Sequence, residues 1–125
     1  MLRDIFSKDN YRFEDQVVRN GRKCWPIVRI ATGKIEYYLL DDVQEMSWEK
    51  ALAKSKSSKY WHLVPSYGTI ALLNAIQYFL IEIGKITAGD NIWVDGGTLW
   101  NDIYEPDEEG FAEEDDNFAV FVHLL

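Results

Sequence analysis

The segment NIWVDGGTLWND at residues 91–102 is one of three tryptophan-centred segments that together carry the fold signal in this chain. It predicts a short strand at 92–94 that breaks at a turn over 95–97, because glycine adopts the backbone angles that tight turns require. Two other tryptophan-centred segments precede it, SWEKA at 47–51 and WHLVPS at 61–66. The order of these three segments is more informative than any one of them.

The first third of the chain predicts an antiparallel meander over residues 13–40. Asn20-Gly21 is the favoured pair for a two-residue hairpin, since both positions tolerate positive φ. Thr32-Gly33 marks a second hairpin between two apolar runs. Pro26 lacks a backbone N–H, so we expect an edge or a bulge there.

Two helices follow in the prediction. The first spans residues 47–57, with Ser47 as its N-cap and lysines near its C-terminus. The second spans residues 66–83 and ends by Gly84; its apolar residues leave only a thin polar edge, which predicts burial on most sides. Its apolar stretch is interrupted by polar residues and is shorter than the ~20 residues that a membrane-spanning helix needs.

The remaining residues predict loops and one closing strand. Residues 105–116 hold eight acids in 12 positions and predict a mobile acidic loop, whereas 118–124 predict a strand apolar enough to be central in a sheet. Strands, two helices, loops and a last strand predict one α+β domain over residues 1–125, with 1–10 as an N-terminal arm.

The chain resembles C-type lectin-like domains over residues 35–125. The first helix of that family commonly carries a tryptophan, an acid and an alanine, which Trp48, Glu49 and Ala51 match. Bacterial members often have a Trp-x-Leu-Pro-Ser element before the second helix, and residues 61–66 fit it with one insertion, Val64. The Trp-x-Asp-Gly turn of the family matches residues 93–96.

The resemblance implies an antiparallel sheet with two helices and a long loop region that serves as a binding surface. Two features differ from the family pattern. The helix-two capping position is Thr69 rather than a glutamate, and Cys24 is the single cysteine, so the disulfides of exported members are absent. The match is therefore to a disulfide-free bacterial variant. The lone cysteine also favours a reducing, cytoplasmic compartment.

Charge is distributed unevenly along the chain. Residues 1–85 hold all 13 Lys and Arg and 10 of the 21 acids, so the other 11 acids fall in residues 86–125, which contain no base. Without a basic stripe near the loop region, nucleic acid is an unsuitable partner. A membrane partner is also not expected, whereas a cationic partner would suit the acidic end.

Two short segments invite a calcium interpretation. Residues 100–102 and 105–107 look like the calcium-binding motifs of sugar-binding C-type lectins, but in reversed order. A solvated acidic loop explains them better, so we expect no metal and no cofactor. We also expect no enzyme: His62 and His123 lie in or beside apolar strands, and Cys24 has no base nearby in sequence.

The loop region therefore supplies the predicted ligand-binding residues, which are Trp93, Asp95, Trp100, Asn101, Asp102 and Tyr104. Of the aromatic residues, Trp100 and Tyr104 are expected to be exposed, and Trp93 has core packing as its alternative. The expected function is a non-enzymatic module that recognises a protein or glycan. The alternative is an intracellular acidic inhibitor or immunity-type protein that binds a basic partner. A homodimer through the second helix is compatible with either.

Overall fold

A computed structural model describes residues 10–65, 70–101 and 117–124 of the chain. Within these ranges it is an α+β structure with two helices and two sheets. The elements are β1 (Tyr11–Phe13), β2 (Val17–Arg19), β3 (Arg22–Arg29), β4 (Lys34–Leu40), β5 (Gln44–Glu45), α1 (Trp48–Ser57), β6 (His62–Leu63), α2 (Ile70–Glu82), β7 (Ile92–Trp93), β8 (Leu99–Trp100), β9 (Phe118–Ala119) and β10 (Phe121–Leu124).

The larger sheet is antiparallel and has six strands. Its order is β1-β3-β4-β10-β6, and β2 pairs with the same strand, β3, as β1 does. The predicted meander is present: Asn20 and Gly21 both have positive φ in the β2–β3 hairpin, and Gly33 has a φ of 69° in the β3–β4 turn. The last strand is central in this sheet, as its apolar sequence predicts.

Pro26 lies inside β3, yet it costs the sheet no hydrogen bond to β4. Its carbonyl accepts from the Glu14 N–H, so the ring nitrogen on the same side of the strand faces the gap between β1 and β2. The register between β3 and β4 shifts immediately afterwards, between Ile27 and Val28. The predicted irregularity is therefore present in β3, but it follows Ile27 rather than lying at Pro26.

The two helices cover opposite faces of the larger sheet. Alternate residues of a strand point to opposite faces, so the core to which each residue belongs shows which helix covers that face. Trp25, Leu39 and Val122 belong to the core on the α2 side, whereas Leu40 and Phe121 pack on the α1 side. Six consecutive residues of α2, 72–77, are buried. The described part of this helix therefore packs mainly within the chain, although Ile70 remains 55% exposed.

The helix ends follow local sequence rules. Ser47 caps α1, its side chain accepting from the Lys50 N–H. Helix α2 stops before Gly84, whose φ of 80° lets Lys85 donate back to the Leu80 carbonyl. The predicted start of this helix at Ser66 lies outside the described residues. No helix in the described ranges combines the length and apolarity needed to cross a membrane.

The prediction of one strand over 118–124 was wrong in its continuity. The chain leaves strand geometry at Val120, so β9 belongs to a smaller sheet of order β5-β9-β7-β8 and β10 belongs to the larger one. Val120 is fully buried between them. Apolarity marked the whole segment as core but carried no signal for the change of sheet. In the smaller sheet β7 and β9 pair in parallel, and the other pairings are antiparallel.

Candidate functional site

The predicted loop region contains a turn that is stabilised by three backbone hydrogen bonds. Val94 N–H donates to the Thr98 carbonyl at 2.9 Å, and Gly97 N–H donates to the Val94 carbonyl at 3.1 Å. Asp95 N–H donates to the Val64 carbonyl at 2.9 Å, which fastens the turn to the chain leaving β6. We name residues 94–98 the β7–β8 turn.

Two tryptophans support the β7–β8 turn from below. The rings of Trp48 and Trp93 have their centroids 5.4 Å apart. A Cβ atom added at Gly97 would lie 3.3 Å from the Trp48 ring, and Gly97 has a φ of 85°. The turn therefore needs glycine at this position for backbone conformation and for close approach to the ring.

Trp93 is a supporting residue rather than a surface residue. Its side chain is 4% exposed, and its indole N–H donates to the Met46 carbonyl at 2.9 Å. A ligand on the turn surface could not touch it without moving the turn. This placement matches the core alternative that the sequence left open.

Asn101, which follows β8, holds the loop region through side-chain hydrogen bonds. Its amide oxygen accepts from the Gln77 side chain at 2.8 Å, and its amide nitrogen donates to the carbonyls of Ala88 and Asp90 at 3.2 and 3.1 Å. Gln77 is fully buried in α2. Asn101 therefore ties the loop before β7 and the end of β8 to the helix.

The other predicted binding residues are divided. Asp95 is exposed on the β7–β8 turn, together with Thr98, which the sequence did not single out. Trp100 is half-buried and packs against the core on the α2 side, and its buried indole nitrogen finds no acceptor among the described residues. Trp100 is thus less accessible than expected. Asp102 and Tyr104 lie outside the described residues.

Asp95, Trp93 and Trp48 lie together at the β7–β8 turn. Asn101 instead contacts α2 and the loop before β7. Trp48 was assigned to the first helix from its sequence, but its contact with Gly97 was missed. The Gly96-Gly97 pair was the available signal, because two adjacent glycines at a turn often mark a position where a bulky group approaches the backbone.

Cys24, the candidate nucleophile, is buried in β3. Burial raises the pKa of the Cys24 thiol above its usual value, so the protonated form is favoured. A buried thiol held in this form is a weak nucleophile. Among the residues described, no group of three or more His, Cys, Asp or Glu side chains is arranged to hold a metal ion.

Comparisons of the chain with protein-family models, curated proteins and solved structures gave no match.

Proposed function

We propose that this chain is a non-enzymatic binding module that recognises a protein or glycan through the β7–β8 turn and the residues next to it. The observation that carries the proposal is the support of the turn. Asp95 and Thr98 are two exposed polar side chains on this turn. Its backbone is held by the hydrogen bond from Asp95 to the Val64 carbonyl and by the close approach of Gly97 to the Trp48 ring. A surface that is ordered before binding loses little conformational entropy when a ligand arrives.

The resemblance to C-type lectin-like domains supports the same surface, because their loop region before the last strands is the part that binds. Aromatic side chains with nearby carboxylates suit polyhydroxylated or cationic ligands. In this proposal Asp95 and Thr98 make polar contacts, while Trp100 contributes the part of its ring that remains exposed. The resemblance also assigns Asp102 and Tyr104 to this surface.

The alternative function depends on charge. Residues 86–125 contain 11 acids and no Lys or Arg, although the whole chain has a net charge of −8. Such a segment would attract a basic protein surface and speed its association at low salt. An acidic inhibitor that neutralises a basic partner would need the acids of residues 105–116 more than the turn.

Binding to immobilised glycans and to immobilised oligolysine tests the two functions with the same variants. The double variant Asp95→Ala, Thr98→Ala removes both exposed side chains of the turn and should weaken binding about tenfold or more at the proposed surface. Asp15→Ala, which removes an exposed acid between β1 and β2, is the control and should bind normally.

A third variant changes all eight acids of residues 105–116 to their amides. If it alone abolishes oligolysine binding while the turn variant binds normally, the acidic-inhibitor alternative is favoured. If neither glycans nor oligolysine distinguish the turn variant from the control, the β7–β8 turn is not the binding surface.

A further inference from the structure

A recess of about 330 Å³ lies at the C-terminal end of α1, away from the β7–β8 turn. Its apolar wall consists of Leu40, Trp61 and Phe121, each 5% exposed or less. Its rim carries Arg22, Asp42 and Lys54. A helix rises about 1.5 Å per residue, so Lys54 and Ser57, which line the recess, lie about 9 and 14 Å along α1 from Trp48.

The rim has one acceptor group between two cations. Asp42 Oδ2 lies 3.3 Å from Arg22 Nη2 and 3.6 Å from Lys54 Nζ. Asp42 Oδ1 accepts from the Gln44 side chain at 2.7 Å. Both carboxylate oxygens are therefore engaged. A guanidinium has five N–H donors and an ammonium three, so the two cations keep donors for a ligand.

The spare donors of the recess are those of Arg22 and Lys54. The indole nitrogen of Trp61, in the apolar wall, has no acceptor among the described residues, but it is buried and presents no accessible surface to a ligand. The recess thus combines spare donors with an apolar wall, while its one carboxylate is already paired. This composition favours an acceptor-rich ligand with an apolar body.

The net charge of the rim indicates the charge of the ligand. Arg22 and Lys54 contribute two positive charges and Asp42 one negative charge, so the rim carries a net charge of about +1 in a chain with a net charge of −8. A monoanion balances that charge, whereas a dianion would leave an excess negative charge. Guanidinium groups also bind carboxylates through two parallel hydrogen bonds.

We propose that the recess binds a small amphipathic carboxylate. The carboxylate lies between Arg22 and Lys54 and displaces part of their pairing with Asp42, while the apolar body packs against Leu40, Trp61 and Phe121. This binding is separate from the proposed function of the β7–β8 turn.

Phenylacetate, its neutral analogue phenylacetamide and the dianion phenyl phosphate are suitable probes, followed by calorimetry and by the NMR signal of the Trp61 indole N–H. Phenylacetate should bind about tenfold more tightly than phenylacetamide, because a charged acceptor strengthens the hydrogen bonds to the cations. It should also bind more tightly than phenyl phosphate and shift the Trp61 signal.

Three variants separate this site from general attraction of anions. Arg22→Gln should weaken phenylacetate binding about fivefold or more. Arg12→Gln removes a similarly exposed arginine on β1, which pairs with Glu14 at 3.6 Å, and should have no effect. Asp42→Asn should tighten binding, because it removes the internal carboxylate that competes for both cations.

Equal binding of phenylacetate and phenylacetamide would overturn the proposal, as would equal losses from Arg22→Gln and Arg12→Gln or weaker binding by Asp42→Asn. Stronger binding of phenyl phosphate would overturn the assignment to a carboxylate. The double variant of Asp95 and Thr98 should bind phenylacetate normally, so failure at the turn and failure at the recess are distinguishable.

Discussion

The side-chain amide of Gln77 donates a 2.8 Å hydrogen bond to the amide oxygen of Asn101, across 24 positions of sequence. Gln77 is fully buried in the middle of α2, and Asn101 follows the end of β8. Asn101 also donates to the carbonyls of Ala88 and Asp90. One side chain thus connects a buried helix to two parts of the loop region that precedes and follows the β7–β8 turn.

Asn101→Ala should lower the free energy of unfolding by about 1–3 kcal/mol, because two backbone carbonyls and a buried amide each lose a partner. Urea unfolding followed by tryptophan fluorescence measures the change. Gln16→Ala removes an exposed amide and is the control, with an expected loss of no more than about 0.5 kcal/mol. Equal losses from the two variants would show that Asn101 does not hold the loop.

Local rules predicted those elements whose cause is local. The Asn20-Gly21 pair, the Ser47 cap and the Gly84 stop each act through backbone angles or a hydrogen bond within a few residues. The placement of residues 121–124 in the middle of a sheet was also predictable, because a strand covered on both faces needs apolar residues throughout.

The site was less predictable because its contacts are not local. Asn101 has the sequence context of an exposed loop residue, and nothing near it in the chain indicates that Gln77 faces it. The sequence context of Trp93 is that of a surface anchor. In the structure its indole N–H donates to the Met46 carbonyl at 2.9 Å, so it is a supporting residue. The cations Arg22 and Lys54 are 32 positions apart in sequence and meet only through Asp42.

Gly97→Ala should destabilise the fold by about 1–2 kcal/mol, more than Gly33→Ala does. Both glycines have positive φ, which an alanine adopts only with strain, but only the Cβ at position 97 would meet a ring, at 3.3 Å from Trp48. The difference between the two variants therefore measures the contact with the ring. Thermal unfolding gives the stabilities, and equal losses would show that Trp48 moves aside freely.

Calcium should not stabilise the protein. Asn101 belongs to the segment that looks like a calcium-binding motif, yet its amide oxygen is occupied by the Gln77 N–H. A tightly bound ion would raise the melting temperature by mass action. Melting curves recorded with excess chelator and with excess calcium should therefore coincide. A fall of several degrees on chelation would contradict this prediction and restore the calcium interpretation of residues 100–107.

His123 should make stability depend on pH just below neutrality. Burial lowers the pKa of its imidazole, with smaller contributions from the positive charges of Arg19 and His62. The rings of Tyr38, Tyr60 and Trp61 surround it, with centroids 5.7–6.4 Å away. Its Nδ1 atom is buried and has no hydrogen-bond partner among the described residues. These surroundings favour the neutral imidazole in the folded state.

The unfolded chain therefore binds a proton at His123 more readily than the folded chain does. As the pH falls below the ordinary histidine pKa of about 6.5, the free energy of unfolding should decrease, and this loss should end below the lowered pKa of the folded state. Urea unfolding between neutral pH and about pH 5 measures the slope, before most carboxylates titrate. His123→Gln should flatten it, whereas His62→Gln, at an exposed position, should leave most of it. An NMR titration that places the pKa of His123 at or above the ordinary histidine value of about 6.5 would contradict the prediction directly.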